Sequence, residues 1–305
     1  MVLLAVVSCI VFPPQVHAQN TFPAGSNVVE VGVYVLNIGR FDLASGSYTI
    51  EFYLSMRCAT SNCNLGSFEF MNGRAASTTE IEDTPTEKFW RIEANLYENL
   101  DLQNYPFDSH QLMIRIEDTT LTKQNLTYVP DPRNSGLDPS IVIVGWSVAG
   151  WSQQVVDHYY SVYNETYSQY VFSVTLNREI AHALEILIPV FFLTFIALIA
   201  MLMYGKVSSV LESRILLTAS VLIAAVLYQF TLDSAIPPLG YLTFVDEFMI
   251  GTYAIIVSCL VLGIMVLKYH HRGAMAESDR IQSYSVKAMT FITLLIYVLL
   301  FSSVL

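Results

Sequence analysis

Four long apolar stretches constrain this chain more than any other feature. They run over 183–204, 210–232, 248–269 and 286–305. A hydrocarbon core about 30 Å thick is crossed by roughly 20 residues of α-helix. Backbone groups inside it need partners within their own segment, so each stretch reads as a membrane helix. Composition agrees: 13% of the 305 residues are charged, against roughly 25% in soluble globular domains. Lys206 and Arg214 flank the first connection, and Lys268, Arg272 and Arg280 flank the third. The second, Asp233 to Glu247, has no basic residue. By the excess of Lys and Arg on the cytoplasmic side, the first and third connections lie inside and the second lies outside.

The preceding residues have a different period. Val29, Val31 and Val33 alternate with Glu30 and Gly32, and Tyr48, Ile50 and Phe52 alternate with Thr49 and Glu51. The turn-forming run Asp42 to Gly46 between them predicts a hairpin. Further short runs at Phe89–Leu96, His110–Glu117, Ile141–Ala149, Val155–Tyr163 and Tyr170–Leu176 predict an all-β sandwich. The chain therefore divides into a β domain at 19–178 and a helical membrane domain at 179–305. Residues 1–18, with the apolar run Val2–Phe12 and the small-residue site Val16-His17-Ala18, read as a signal peptide. A short first membrane helix is the other reading. Such a leader sends the β domain to the periplasmic or extracellular side.

Residues 19–177 hold eight basic and eighteen acidic side chains, a net charge of −10. That excludes nucleic acid as a partner, since its binding rests on phosphate neutralisation. The acidity either gathers cations at the surface or serves solubility alone. Cys58 and Cys63 are the two cysteines of the β domain, and no histidine stands near them. They read as a disulfide closing a small loop, with a metal site as the alternative. There is no nucleophile elbow, metal-spaced histidine cluster or phosphate loop, so no enzyme and no cofactor is expected.

The second span is the least apolar. At steps of three and four, Glu212, Leu216, Ser220, Ile223, Leu227, Phe230 and Ser234 share one face. That face begins with a carboxylate, passes a hydroxyl and becomes wholly apolar, with Asp233 beside its outer end. If several copies surrounded an axis, Glu212 would form an acidic ring favouring cations, and Ile223, Leu227 and Phe230 a constriction that closes by dewetting. The alternative makes Glu212 and Arg214 ordinary end-of-helix charges.

The run Asp101-Leu102-Gln103-Asn104-Tyr105-Pro106-Phe107-Asp108 resembles the Pro-loop of pentameric ligand-gated ion channels, the Cys-loop receptor superfamily. It lacks the flanking cysteines, as prokaryotic members do. Other stretches are similar to that family across most of the chain. Phe68-Glu69-Phe70-Met71-Asn72 resembles its loop A, Gly145-Trp146 a Gly-Trp pair ahead of the last strands, and Arg178 with Pro189 the arginine and proline around the first span. Glu212-Ser213-Arg214 resembles the start of the pore helix, Pro237-Pro238-Leu239-Gly240-Tyr241 the following loop, and His270-His271-Arg272 the end of the third span in an amine-gated bacterial member.

The resemblance implies a homopentamer in the inner (plasma) membrane that conducts monovalent cations through a central pore. It implies pore-lining roles for Glu212, Leu216, Ser220, Ile223, Leu227, Phe230 and Asp233. It also implies an electrostatic coupling cluster of Asp42, Asp108 and Arg178, served by Tyr105, Pro106, Phe107, Pro237, Pro238 and Tyr241. One departure is large: Cys58 to Gly66 replaces a segment several tens of residues longer, which in the family supplies part of the agonist site.

The agonist is left as an amine or a proton. Tyr159, Tyr160, Tyr163, Tyr167 and Tyr170 lie where the family cages ammonium groups by cation–π attraction; Tyr159, Tyr160 and Tyr163 are singled out among them, and Phe70, Trp90 and Trp146 are further candidates. Strand alternation forbids all of these facing one cavity, and tyrosines suit strands in any case. His158, His182 and Glu185 are candidates for pH sensing. Asp131, Asn134 and Asp138 offer oxygens for calcium modulation without a recognisable loop signature. A non-conducting receptor for a periplasmic solute, sharing the sandwich and the spans, is the rival reading.

Overall fold

The computed structural model describes residues 27–59, 63–205, 207–234 and 236–302. The signal segment expected at 1–18 lies outside the described residues.

Ten strands precede four helices. They are β1 (Asn27–Asp42), β2 (Ser47–Cys58), β3 (Phe68–Phe70), β4 (Gly73–Asp83), β5 (Glu87–Tyr97), β6 (Ser109–Asp118), β7 (Leu126–Pro130), β8 (Gly136–Leu137), β9 (Trp146–Tyr160) and β10 (Glu165–Arg178). One sheet has the order β4-β5-β2-β1-β7, with β8 also paired to β1; the other runs β3-β6-β10-β9. The period of two explains the core. Val29, Val31 and Val33 of β1 and Ile50, Phe52 and Leu54 of β2 are fully buried, and they meet Leu112, Ile114 and Ile116 of β6 and Phe172, Val174 and Leu176 of β10.

Two details differ from the sequence reading. The runs at 141–149 and 155–163 form one strand, β9, and the residues before it are irregular apart from a bridge between Ile143 and Trp146. Gly145 has φ +79°, a left-handed conformation that glycine adopts readily, so the strand starts only after it. At the other end a turn at 161–164 closes the β9–β10 hairpin with Asn164 at φ +53°. Cys58 and Cys63 form a disulfide with Cα atoms 5.8 Å apart, closing the short connection out of β2.

The helices are α1 (Ile180–Leu202), α2 (Ser208–Asp233), α3 (Phe244–His271) and α4 (Met275–Ser302), each long and apolar enough to cross a membrane. A capping box of Thr243 and Asp246 starts α3. The last helix begins well before its apolar run. Its first turns are polar overall, but they bury Ser278, Gln282, Ser285 and Met289 at steps of four, three and four, a helical stripe that hydropathy alone does not show.

Polar side chains tie the bundle together. Tyr297 of α4 bonds Thr194 of α1 at 2.6 Å and Thr252 of α3 at 3.2 Å. Arg214 of α2 points into the bundle, 1% exposed. Its Nη1 donates to Gln282 Oε1 at 2.6 Å, and Gln282 Nε2 donates to the Met201 carbonyl of α1 at 2.5 Å. Its Nε and Nη2 are buried without a hydrogen-bond partner among the described residues.

Candidate functional site

Three constellations stand out, at the seam between the domains, along α2, and at the β9–β10 hairpin. The seam is built by the loop between β5 and β6. Leu102 and Tyr105 are buried in one apolar cluster with Leu187, Val190, Leu232 and Phe248 of the helices. The main chain docks as well. Phe244 N donates to the Gln103 carbonyl at 2.7 Å, Val245 N to the Tyr105 carbonyl at 3.2 Å, and Leu102 N to the Tyr241 hydroxyl at 3.0 Å. Phe107 lies edge-on to Phe244 and Phe301. The Tyr105–Pro106 peptide is cis. Of the following loop, Pro237 is half-buried and Pro238 exposed.

Behind this loop sits a buried ion pair. Arg178, at the end of β10, donates from Nε to Asp108 Oδ1 at 2.6 Å and from Nη2 to Oδ2 at 2.9 Å, the two-pronged geometry that favours arginine over lysine. Its guanidinium lies 4.2 Å from the Trp146 ring and 4.8 Å from the Tyr105 ring. His110 Nε2 lies 2.6 Å from Asp108 Oδ2. Burial pushes the Asp108 carboxyl up, but the bonds from His110 and Arg178 outweigh it and hold the group down at about 2. Asp42 does not join the pair as expected. It ends β1, and its Oδ1 accepts from Ala44 N at 2.9 Å, so it shapes the turn into β2. His110 occupies the second place beside Asp108, and β-strand alternation could have shown it, since His110 is in phase with Leu112, Ile114 and Ile116.

The α2 face is uncovered in the single chain. Leu216 is 69% exposed, Ile223 63%, Leu227 61% and Phe230 66%, and Glu212, Ser220 and Asp233 are exposed with them. The opposite face, Leu211, Arg214, Thr218, Val221 and Ala225, packs inward. Ser220 Oγ donates to the Leu216 carbonyl at 2.9 Å. Glu212 Oε1 is 4.0 Å from His271 Nε2. The exposed mid-span surfaces of α1 and α4 present large apolar groups such as Phe192, Phe195, Phe291 and Leu295.

At the hairpin a cavity of about 210 Å³ is lined by Glu69, Glu117, Asp118, Thr119, Tyr160, Tyr163 and Tyr167. Glu117 is buried and accepts from Gln169 Nε2 at 2.5 Å and from the Tyr160 hydroxyl at 3.0 Å, with His158 Nδ1 at 2.5 Å. Burial, then Glu117, pushes the Tyr160 hydroxyl up. Asp118 is engaged by the backbone N–H groups of Ser67, Thr120 and Leu121.

Of the six ligand candidates, Tyr160 and Tyr163 line this cavity and four do not. Tyr159 lies on the other face of its strand and bonds Asn164. Trp146 is at the far end of β9, against Arg178. Phe70 packs on Phe52, and Phe68 separates it from Trp90. Tyr167, named with the other hairpin tyrosines, lines it too, and Glu69 and Glu117 are the additions. Glu117 follows Ile116 and so faces away from the sandwich core, and only the hairpin above it makes it buried.

The remaining expectations scatter. His182 Nδ1 is 3.4 Å from Glu185 one turn along α1. Asp131 is paired with Arg57 at 3.0 Å and accepts from Asn134 Nδ2 at 2.8 Å, while Asp138 accepts from Ser140. Among the described residues no three His, Cys, Asp or Glu side chains gather as a metal site.

No family model matches the chain. The sequence is 22% identical over 186 residues to a proton-gated ion channel of Gloeobacter violaceus (strain ATCC 29082 / PCC 7421). The match takes in 60% of this chain and spans half the length of that relative.

Proposed function

Starting from homology to a proton-gated ion channel, we propose that this chain is one subunit of a ligand-gated, cation-selective channel. Five copies surround a pore lined by α2, in an inner or plasma membrane, with the β domain outside and the α1–α2 and α3–α4 connections in the cytoplasm. The observation that carries the reading is the α2 face. A helix that carries a carboxylate, a hydroxyl and then a run of apolar side chains, uncovered along its whole length, needs water on the acidic end and a partner on the rest. A ring of identical helices supplies both.

Glu212 then forms the acidic ring at the cytoplasmic mouth, and Ile223, Leu227 and Phe230 the closing constriction. Asp233 adds charge at the outer end. Opening follows from differential affinity of a ligand for one of two arrangements. The hairpin gives it a route. Tyr167 at the cavity and Arg178 at the seam share β10, and a strand rises about 3.3 Å per residue, so one element joins sites tens of ångströms apart. The three tyrosines and three acids of the hairpin cavity suit a small ammonium compound held by cation–π and charge attraction. A proton taken up there is the alternative agonist.

The test is current across planar bilayers holding purified protein under a NaCl gradient, swept through pH, calcium and amines. The expected reversal potential lies near that of sodium and moves toward zero in Glu212→Gln. Silence of an intact oligomer under every condition would favour the non-conducting solute receptor.

A further inference from the structure

His110 is a buried imidazole in contact with the ion pair that joins the two domains. Its side chain is 3% exposed. β1 contributes Phe41 against it, with ring centres 6.1 Å apart, and β9 contributes Trp146, at 5.3 Å; neither titrates. The charged groups facing it are Asp108, in direct contact, and Arg178 across Asp108, with the Tyr105 phenol beyond the guanidinium. Because the Arg178 guanidinium grips both oxygens of Asp108, the carboxylate is an acceptor throughout the range in which histidines titrate. His110 must then donate from Nε2, and the hydrogen bond at one ring nitrogen decides which form the other takes. Nδ1 is left as the nitrogen that can gain a proton.

We propose that His110 is the proton-binding positioning residue of the domain seam: a proton on Nδ1 tightens its hold on Asp108 and loosens the hold of Asp108 on Arg178. Two donors share Asp108 Oδ2. Charging one of them strengthens its bond, since ionised donors bond about twice as strongly as neutral ones, and places a second cation beside Arg178. Arg178 stands two residues before α1, so a weaker grip on it frees the link between sandwich and bundle. This rests on the channel reading for its consequence in current, but not for the proton binding itself.

The test therefore has two readouts. Trp146 lies beside His110, and an imidazolium quenches a neighbouring indole. In the full-length oligomer carrying Trp90→Phe and Trp151→Phe, Trp146 emission is expected to change stepwise as the medium is acidified. His110→Gln, which keeps an N–H for Asp108, is expected to abolish that step. In bilayers the same substitution is expected to shift the proton concentration for half-maximal response at least tenfold. An emission that stays flat in the parent overturns the proposal whether or not the protein conducts. A titrating emission with an unchanged proton response in His110→Gln overturns the coupling to Arg178. Absence of current from the parent in every condition overturns the channel reading instead, and the emission step then decides proton binding alone.

Discussion

Asp108 keeps its charge because Arg178 and His110 reward the ionised form more than burial penalises it. Its carboxyl is held at about 2, below the ordinary value near 4. The group therefore stabilises the fold above the ordinary carboxylate range, and the contribution fades as pH falls through about 2. The difference corresponds to about 2 kcal/mol at neutral pH. Asp108→Asn should lower thermal stability at pH 7, with the two melting curves converging as the medium is acidified; a constant offset at every pH would contradict this account. At the same scale, Ile223→Ser places a hydroxyl in the proposed constriction and should ease opening, read as a lower half-maximal agonist concentration and more spontaneous current.

Among the elements, the connection out of β2 is closed by a disulfide. A bridge between Cys58 and Cys63 closes only a few residues, and loop-closure entropy gives such a bridge about 2 kcal/mol. Cys58→Ser with Cys63→Ser should lower the melting temperature of the β domain while leaving the reversal potential of the proposed channel unchanged, since Cys58 ends β2 and Cys63 follows it in the β domain, outside the helices. The helices were legible because each apolar run nears the length a bilayer demands. The start of α4 was not, because its polar turns at 275–285 carry their periodicity in Ser278, Gln282 and Ser285 rather than in apolar residues. The sandwich was legible from alternation in β1, β2 and β6. The course of β9 was hidden by its exposed, mixed composition.

On the scale of the whole molecule, the sites show what a single sequence leaves out. The Asp108–Arg178 pair joins residues seventy positions apart, and only the family resemblance brought them together; geometry then replaced Asp42 with His110. The hairpin tyrosines were legible as a local cluster, but the cavity adds Glu69 and Glu117 from two other strands, β3 and β6, which no local run of residues announces. The α2 face is the opposite case, since helical spacing alone orders it from Glu212 to Phe230. The assembly makes its own prediction. If the proposed ring forms, purified protein should have the mass of five chains, and mixing wild-type with Glu212→Gln subunits should yield graded rather than all-or-none changes in reversal potential, because each copy would contribute one carboxylate.

The buried Arg214 bears on how the protein is made. It sits in α2, and its side-chain partner, Gln282, belongs to α4. Helices leave the ribosome in chain order, so a cation must wait in or beside the bilayer until the fourth helix is synthesised. A chain ending before Met275 would leave that guanidinium without Gln282, in surroundings where a lone charge is costly. Truncated products should thus fail to settle in the membrane and be cleared, and supplying α4 as a separate peptide should rescue them. Gln282 would then act as a check that synthesis has reached the fourth helix.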